Sequence, residues 1–226
     1  MLQKAASHGV RSLLIVRGDA FESPPQSDQI PCFQFASDLV RFIRKQFGDM
    51  FCIGVAGYPS GARDNESVED SLRWLKLKVK LGAQFVITQA VYNAEEFDKF
   101  VQICRQEGLT VPIIAGILPI NSYKTWQLIR KLGRIHIPIQ LEQQIEVHKD
   151  DDRTIADLSL KHCVQAAQKI VSSDSTSCVH LFMLNNAERT LKLINSIDAF
   201  RGERPTSFNL PQKVIEKRIQ SNYSPH

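Results

Sequence analysis

Five times along this chain a stretch with the apolar period of a helix stops at a glycine, and a run of consecutive apolar residues begins two to five positions later. The glycines are Gly9, Gly48, Gly82, Gly108 and Gly133. Glycine takes the left-handed backbone just past a helix end without a Cβ penalty, so each join reads as a helix feeding a strand. The runs at 12–16, 51–56, 85–88, 113–117 and 179–184 are apolar at successive rather than alternate positions. That is the pattern of strands covered on both faces of a parallel sheet, and strands alternating with helices make an α/β fold.

Two helix starts are explicit. Ser67-Val68-Glu69-Asp70 has the form of a capping box, after which Val68, Leu72, Leu75 and Val79 fall on one face. Asn93 with Glu96 three residues on opens a second helix that turns Phe97, Phe100, Val101 and Cys104 inward. The interval between the fourth and fifth strands is longer and is expected to hold two helices, near 122–132 and 154–172, the latter started by the acidic run Lys149-Asp150-Asp151-Asp152-Arg153. From about residue 199 the sequence is polar and carries Pro205, Pro211 and Pro225, so residues 1–198 are expected to form the domain and 199–226 a surface tail.

Bulk properties narrow the function classes. The formal charge of +4 is dispersed among 28 basic and 24 acidic residues, so no basic stripe for a nucleic acid is visible. No stretch approaches the ~20 apolar residues that span a bilayer. The five cysteines (Cys32, Cys52, Cys104, Cys163, Cys178) are odd in number, form no C-x-x-C pair and mostly sit in apolar runs, which reads as reduced core residues of a cytoplasmic protein. The six histidines show no metal-ligand spacing, and His180, inside an apolar strand, reads as a core histidine.

Ligands of parallel sheets gather where the strands end, because loops and helix N-termini converge there. That singles out Arg17-Gly18-Asp19, Gly57-Tyr58-Pro59, Gln89 and Pro119. Arg17-Gly18-Asp19 offers a cation, a position without a side chain and a carboxylate, suited to a flat cofactor or, equally, to a turn capped by Asp19. Gln89 carries donor and acceptor for the edge of a heterocycle, or satisfies a neighbouring loop. Tyr58, before Pro59 and Gly61, is a stacking ring or a turn residue, and Lys78 is by default a solvated lysine near a helix C-terminus.

Taken in order, Leu14-Ile15-Val16-Arg17-Gly18-Asp19, Phe35-Ala36-Ser37-Asp38-Leu39-Val40, Val55-Ala56-Gly57-Tyr58-Pro59, Leu75-Lys76-Leu77-Lys78-Val79, Ile87-Thr88-Gln89 and Ala115-Gly116-Ile117-Leu118-Pro119-Ile120 resemble the methylenetetrahydrofolate reductases, as does His180-Leu181-Phe182-Met183-Leu184-Asn185. The resemblance implies part of a TIM-type (β/α) barrel with about five parallel strands, FAD at the C-terminal rim, NADPH or NADH as reductant, and a folate substrate. It implies flavin contacts at Arg17, Gly18, Asp19, Ala36, Tyr58 and Lys78, folate contacts at Asp19 and Gln89, and a catalytic part for Asp19.

Departures from the family pattern accompany it. The family's general acid, a glutamate on the first barrel strand, has no counterpart here. Ala62 stands for the usual flavin-holding histidine, Ser71 for an aspartate, and Asn186 for a folate-contacting arginine. A non-catalytic relative or fragment acting as a binding module is therefore the alternative expectation. Five strands also leave two open edges, which invite a second copy or another partner to cover them.

Overall fold

The computed structural model describes residues 1–17, 33–61, 67–132, 135–184 and 186–197. Gly18, Asp19, Cys32, Ala62, Gly133 and the tail from residue 198 lie outside the described residues.

In chain order the elements are α1 (Leu2–Ser7), β1 (Ser12–Ile15), α2 (Ala36–Phe47), β2 (Cys52–Gly57), α3 (Val68–Lys80), β3 (Phe85–Ala90), α4 (Ala94–Gln106), β4 (Ile113–Ile117), α5 (Tyr123–Leu132), α6 (Ile139–Val147), α7 (Asp152–Val171), β5 (Val179–Leu181) and α8 (Ala187–Ser196). The strands form one parallel sheet in the order β1-β2-β3-β4-β5, so each helical crossover returns the chain to the adjacent position. This is a half-barrel of the TIM type with helices packed on its outer side.

The register assigns side chains to faces. Ile15, Val55, Val86, Ile113, Ala115 and Ile117 look outward and are at most 6% exposed, because the helices cover them. Leu14, Gly54, Phe85, Ile87, Ile114, Gly116 and His180 share the concave face, where Leu14 is 42% exposed and Phe85, Ile87, Ile114 and His180 are half-buried. The expectation of burial on both faces therefore holds only on the helical side. Five strands do not close on themselves, and a barrel interior fills only when all its strands surround it. His180 is accordingly a half-buried residue of this open face, its ring edge-on to Phe182 at 4.7 Å.

Glycine at 116 answers a close approach. A Cβ there would overlap the Thr88 carbonyl oxygen and fall 2.6 Å from the Phe182 ring. The same region is where β3 and β4 lose step, between Ile87 and Ala90. Thr88 repairs the ladder with its side chain: its hydroxyl accepts the Gly116 N–H at 3.0 Å and donates to the Gln89 carbonyl at 2.8 Å. The irregularity carries β3 to Ala90, beyond the expected 88.

The helix starts follow the sequence. Ser67 Oγ accepts the Asp70 N–H, Asn93 Oδ1 accepts those of Glu95 and Glu96, and Asp151 caps α7 through Thr154. Gly9, Gly48, Gly82 and Gly108 all have positive φ. Three helices rather than two lie between β4 and β5: α6 was hidden because Pro138 precedes it and only Leu141 and Ile145 are buried along it. Helix α8 was likewise unforeseen, and β5 ends at Leu181 rather than 184.

Candidate active site at the strand ends

At the end of β2 the chain reverses through Tyr58-Pro59-Ser60-Gly61. The Gly61 N–H donates to the Tyr58 carbonyl at 3.2 Å, and Gly61 takes φ +93°, which glycine alone adopts cheaply. Behind the turn lies Lys78 of α3. It is 8% exposed, so the reading of a solvated lysine does not hold. Its Nζ donates to the Ala56 carbonyl at 2.8 Å and stands 5.8 Å from the Tyr58 ring centroid. A desolvated cation against a π face is worth more than an exposed one, so Lys78 and Tyr58 form a fixed unit at the rim.

Arg17 follows β1 and places its guanidinium 5.5 Å from the Phe35 ring, which stacks on Trp74 of α3 at 6.0 Å and 9°. Phe35 is the residue before α2, whose first residue is Ala36; the Phe35 N–H is taken by the Asp38 carboxylate. Gln89 sits half-buried in the irregular part of β3. Tyr58 and Lys78 are thus in direct contact, Arg17 adjoins Ala36 through Phe35, and Gln89 belongs to the neighbouring strand end. Of the residues at which the family pattern is broken, Ser71 is buried on α3 and Asn186 caps α8 by accepting the Arg189 N–H at 3.1 Å.

Two further features have no local sequence signature. Glu96 Oε1 accepts the Ser60 hydroxyl at 2.5 Å and Oε2 lies 3.2 Å from His136 Nδ1. In the sequence Glu96 stands three residues after Asn93, a spacing that by itself indicates a capping acid. A cavity of about 530 Å³ opens between the N-terminal turns of α4 and α6 and the His162, Gln165 and Lys169 stripe of α7. None of the described rim candidates lines it.

The thiols divide by burial. Burial pushes Cys104 up to about 11 and Cys163 up to about 12, so neither supplies a thiolate nucleophile at neutral pH. Cys52 and Cys178 are exposed, which corrects their reading as core residues. Among the described residues no group of three His, Cys, Asp or Glu could hold a metal ion, and no helix is long and apolar enough to cross a membrane.

Comparison with known proteins decides the family. Residues 1–198 match the family described as methylenetetrahydrofolate reductase. The chain belongs to the methylenetetrahydrofolate reductase family. It is 36% identical over 203 residues to a probable methylenetetrahydrofolate reductase (NADPH) of Caenorhabditis elegans, covering 89% of this chain and 30% of that protein. It is 33% identical over 230 residues to methylenetetrahydrofolate reductase (NADH) 1 of Arabidopsis thaliana, covering 96% of this chain and 39% of that protein. The chain therefore spans between 30% and 39% of these two relatives. Among solved structures it is similar to a Clostridium thermocellum protein described as binding two copies of 5-methyl-5,6,7,8-tetrahydrofolic acid, with TM-score 0.55 and 23% identity over 73% of this chain and 58% of that one. That likeness concerns the fold.

Proposed function

We propose that this chain carries part of a site at which hydride passes from NADPH or NADH, by way of FAD, to 5,10-methylenetetrahydrofolate, yielding 5-methyltetrahydrofolate. The observation that supports it most is the buried Lys78 ammonium, held by the Ala56 carbonyl beside the Tyr58 ring, in a chain of this family. FAD bound there would supply a hydride carrier that no side chain provides.

The chain's own residues fit such a ligand. Lys78 and Arg17 set two cations near the ends of β2 and β1, which favours an anionic, phosphate-bearing cofactor. Tyr58 offers a ring face, and Ala36 at the start of α2 leaves room for close approach. Gln89, able to donate and accept, suits the edge of a pterin ring. Asp19 is assigned to hold a proton-bearing edge of flavin or folate. Hydride adds to the methylene carbon as its bond to one folate nitrogen breaks, and that nitrogen takes up a proton.

The test is single-turnover reduction of methylenetetrahydrofolate by the FAD-loaded chain with NADPH or NADH, alone and with further barrel strands of the family supplied in trans. Formation of 5-methyltetrahydrofolate that falls at least tenfold in Asp19→Asn supports the reading. Full turnover by Asp19→Asn refutes the part given to Asp19, and no product under any combination refutes the activity.

A further inference from the structure

The carboxylate of Glu96 ties together loops that follow three successive strands. An acid three residues after a helix cap ordinarily reaches back to the cap's own N–H. Here both oxygens are engaged across the rim instead: Oε1 with the hydroxyl of Ser60 in the turn after β2, and Oε2 with Nδ1 of His136, which lies between α5 and α6 in the connection after β4. Glu96 itself stands in the first turn of α4, after β3. Its side chain is 22% exposed while that of His136 is 61% exposed, so the carboxylate is the shielded centre and the loops come to it.

The anchor is firm. Helix α4 is fixed by Asn93 at its cap and by Phe97 and Phe100, which are 0% and 3% exposed. Within the Tyr58–Gly61 turn the Gly61 N–H donates to the Tyr58 carbonyl at 3.2 Å, so that amide reports on the turn. The neighbouring acid does not compete, because Glu95 is paired with Lys169 at 3.2 Å. We propose that Glu96 is a positioning residue, fixing the Tyr58 turn against the start of α4 and the connection between α5 and α6, and so setting how the Tyr58 ring meets a ligand at the rim. The ligand part rests on the reading of Tyr58 as a flavin-stacking residue.

The experiment uses the full chain with Glu96→Gln, Ser60→Ala, Glu96→Asp and the double variant Ser60→Ala/Glu96→Gln. Two quantities are read: hydrogen exchange at the Gly61 amide, and the FAD dissociation constant from quenching of flavin fluorescence. Glu96→Gln and Ser60→Ala should each speed exchange and weaken FAD by roughly threefold to tenfold, the scale of one charge-assisted, partly exposed hydrogen bond. The double variant should match Glu96→Gln alone, and Glu96→Asp should recover part of both effects. Unchanged Gly61 exchange in both single variants, or additive effects in the double, overturns the tether. Normal FAD affinity in Glu96→Gln, where the parent chain binds FAD, overturns the positioning role. A parent chain that does not bind FAD defeats the flavin reading instead and leaves Gly61 exchange to decide the tether.

Discussion

Replacing Thr88 by valine should destabilise the half-barrel more than replacing it by serine, against the usual preference of a buried strand for valine. Thr88 is 1% exposed, and its hydroxyl bridges the break in the β3–β4 ladder to Gly116 N–H and the Gln89 carbonyl. Valine keeps the branched shape and loses both bonds. An ordinary hydrogen bond contributes about 1 kcal/mol, and a buried N–H left without an acceptor costs about 1–3 kcal/mol. Against this the added methyl gains about 1 kcal/mol at most. A net loss of about 2 kcal/mol follows at the centre of these ranges, equivalent to roughly 4–8 °C in melting temperature for a chain of this size. Thr88→Ser keeps the hydroxyl and loses a methyl, for about 1 kcal/mol. Urea unfolding followed by circular dichroism gives the order, with exchange at the Gly116 amide as a local check. Valine as stable as serine, or a Gly116 amide equally protected in both, would show that the hydroxyl does not repair the ladder.

Further outcomes follow from burial and capping. In the native chain Cys52 and Cys178 should react with a thiol reagent within the mixing phase while Cys104 and Cys163 stay protected until unfolding; a slow Cys52 would mean that the concave face is covered in solution. Burial depresses the pKa of both His162 and His180, so the unfolded chain takes up these protons first. Stability is then fully present above the ordinary histidine value of about 6.5 and is lost as pH falls through and below it. The urea midpoint should drop between about pH 7.5 and pH 5, less so in His162→Gln/His180→Gln; equal drops would refute the assignment. Asn186→Ala should cost about 1 kcal/mol through the lost cap of α8, read as a lower urea midpoint, whereas an unchanged midpoint would show that the cap contributes nothing.

Much of this architecture is legible in local chemistry. Gly9, Gly48, Gly82 and Gly108 mark helix ends because only a residue without Cβ takes their backbone cheaply, and Ser67, Asn93 and Asp151 mark helix starts because their oxygens meet exposed N–H groups. Helix α6 escaped notice because two buried residues on a single i, i+4 spacing are too few to establish a period. The openness of the concave face was equally hidden. An apolar run such as that around Leu14 reads alike whether its inner face meets other strands or solvent, since the distinction depends on strand number.

The site was legible as residue types and not as an arrangement. Tyr58 and Gln89 follow from their places at strand ends, but nothing local distinguishes a buried Lys78 from a solvated one. Its burial depends on the Ala56 carbonyl 22 residues away. The same holds for Glu96, whose partners Ser60 and His136 are 36 and 40 residues distant.

Under the proposed function, the strand ends around Lys78 and Tyr58 bind an isoalloxazine ring. The visible difference spectrum of the purified chain titrated with FAD tests it most directly, repeated with Lys78→Met. A saturable shift of the flavin bands, with affinity about tenfold weaker in Lys78→Met, is the predicted result, tenfold being about 1.4 kcal/mol for a lost charge contact. Flavin bands that stay at their free-solution positions at saturating FAD, or identical titrations for both proteins, would contradict it.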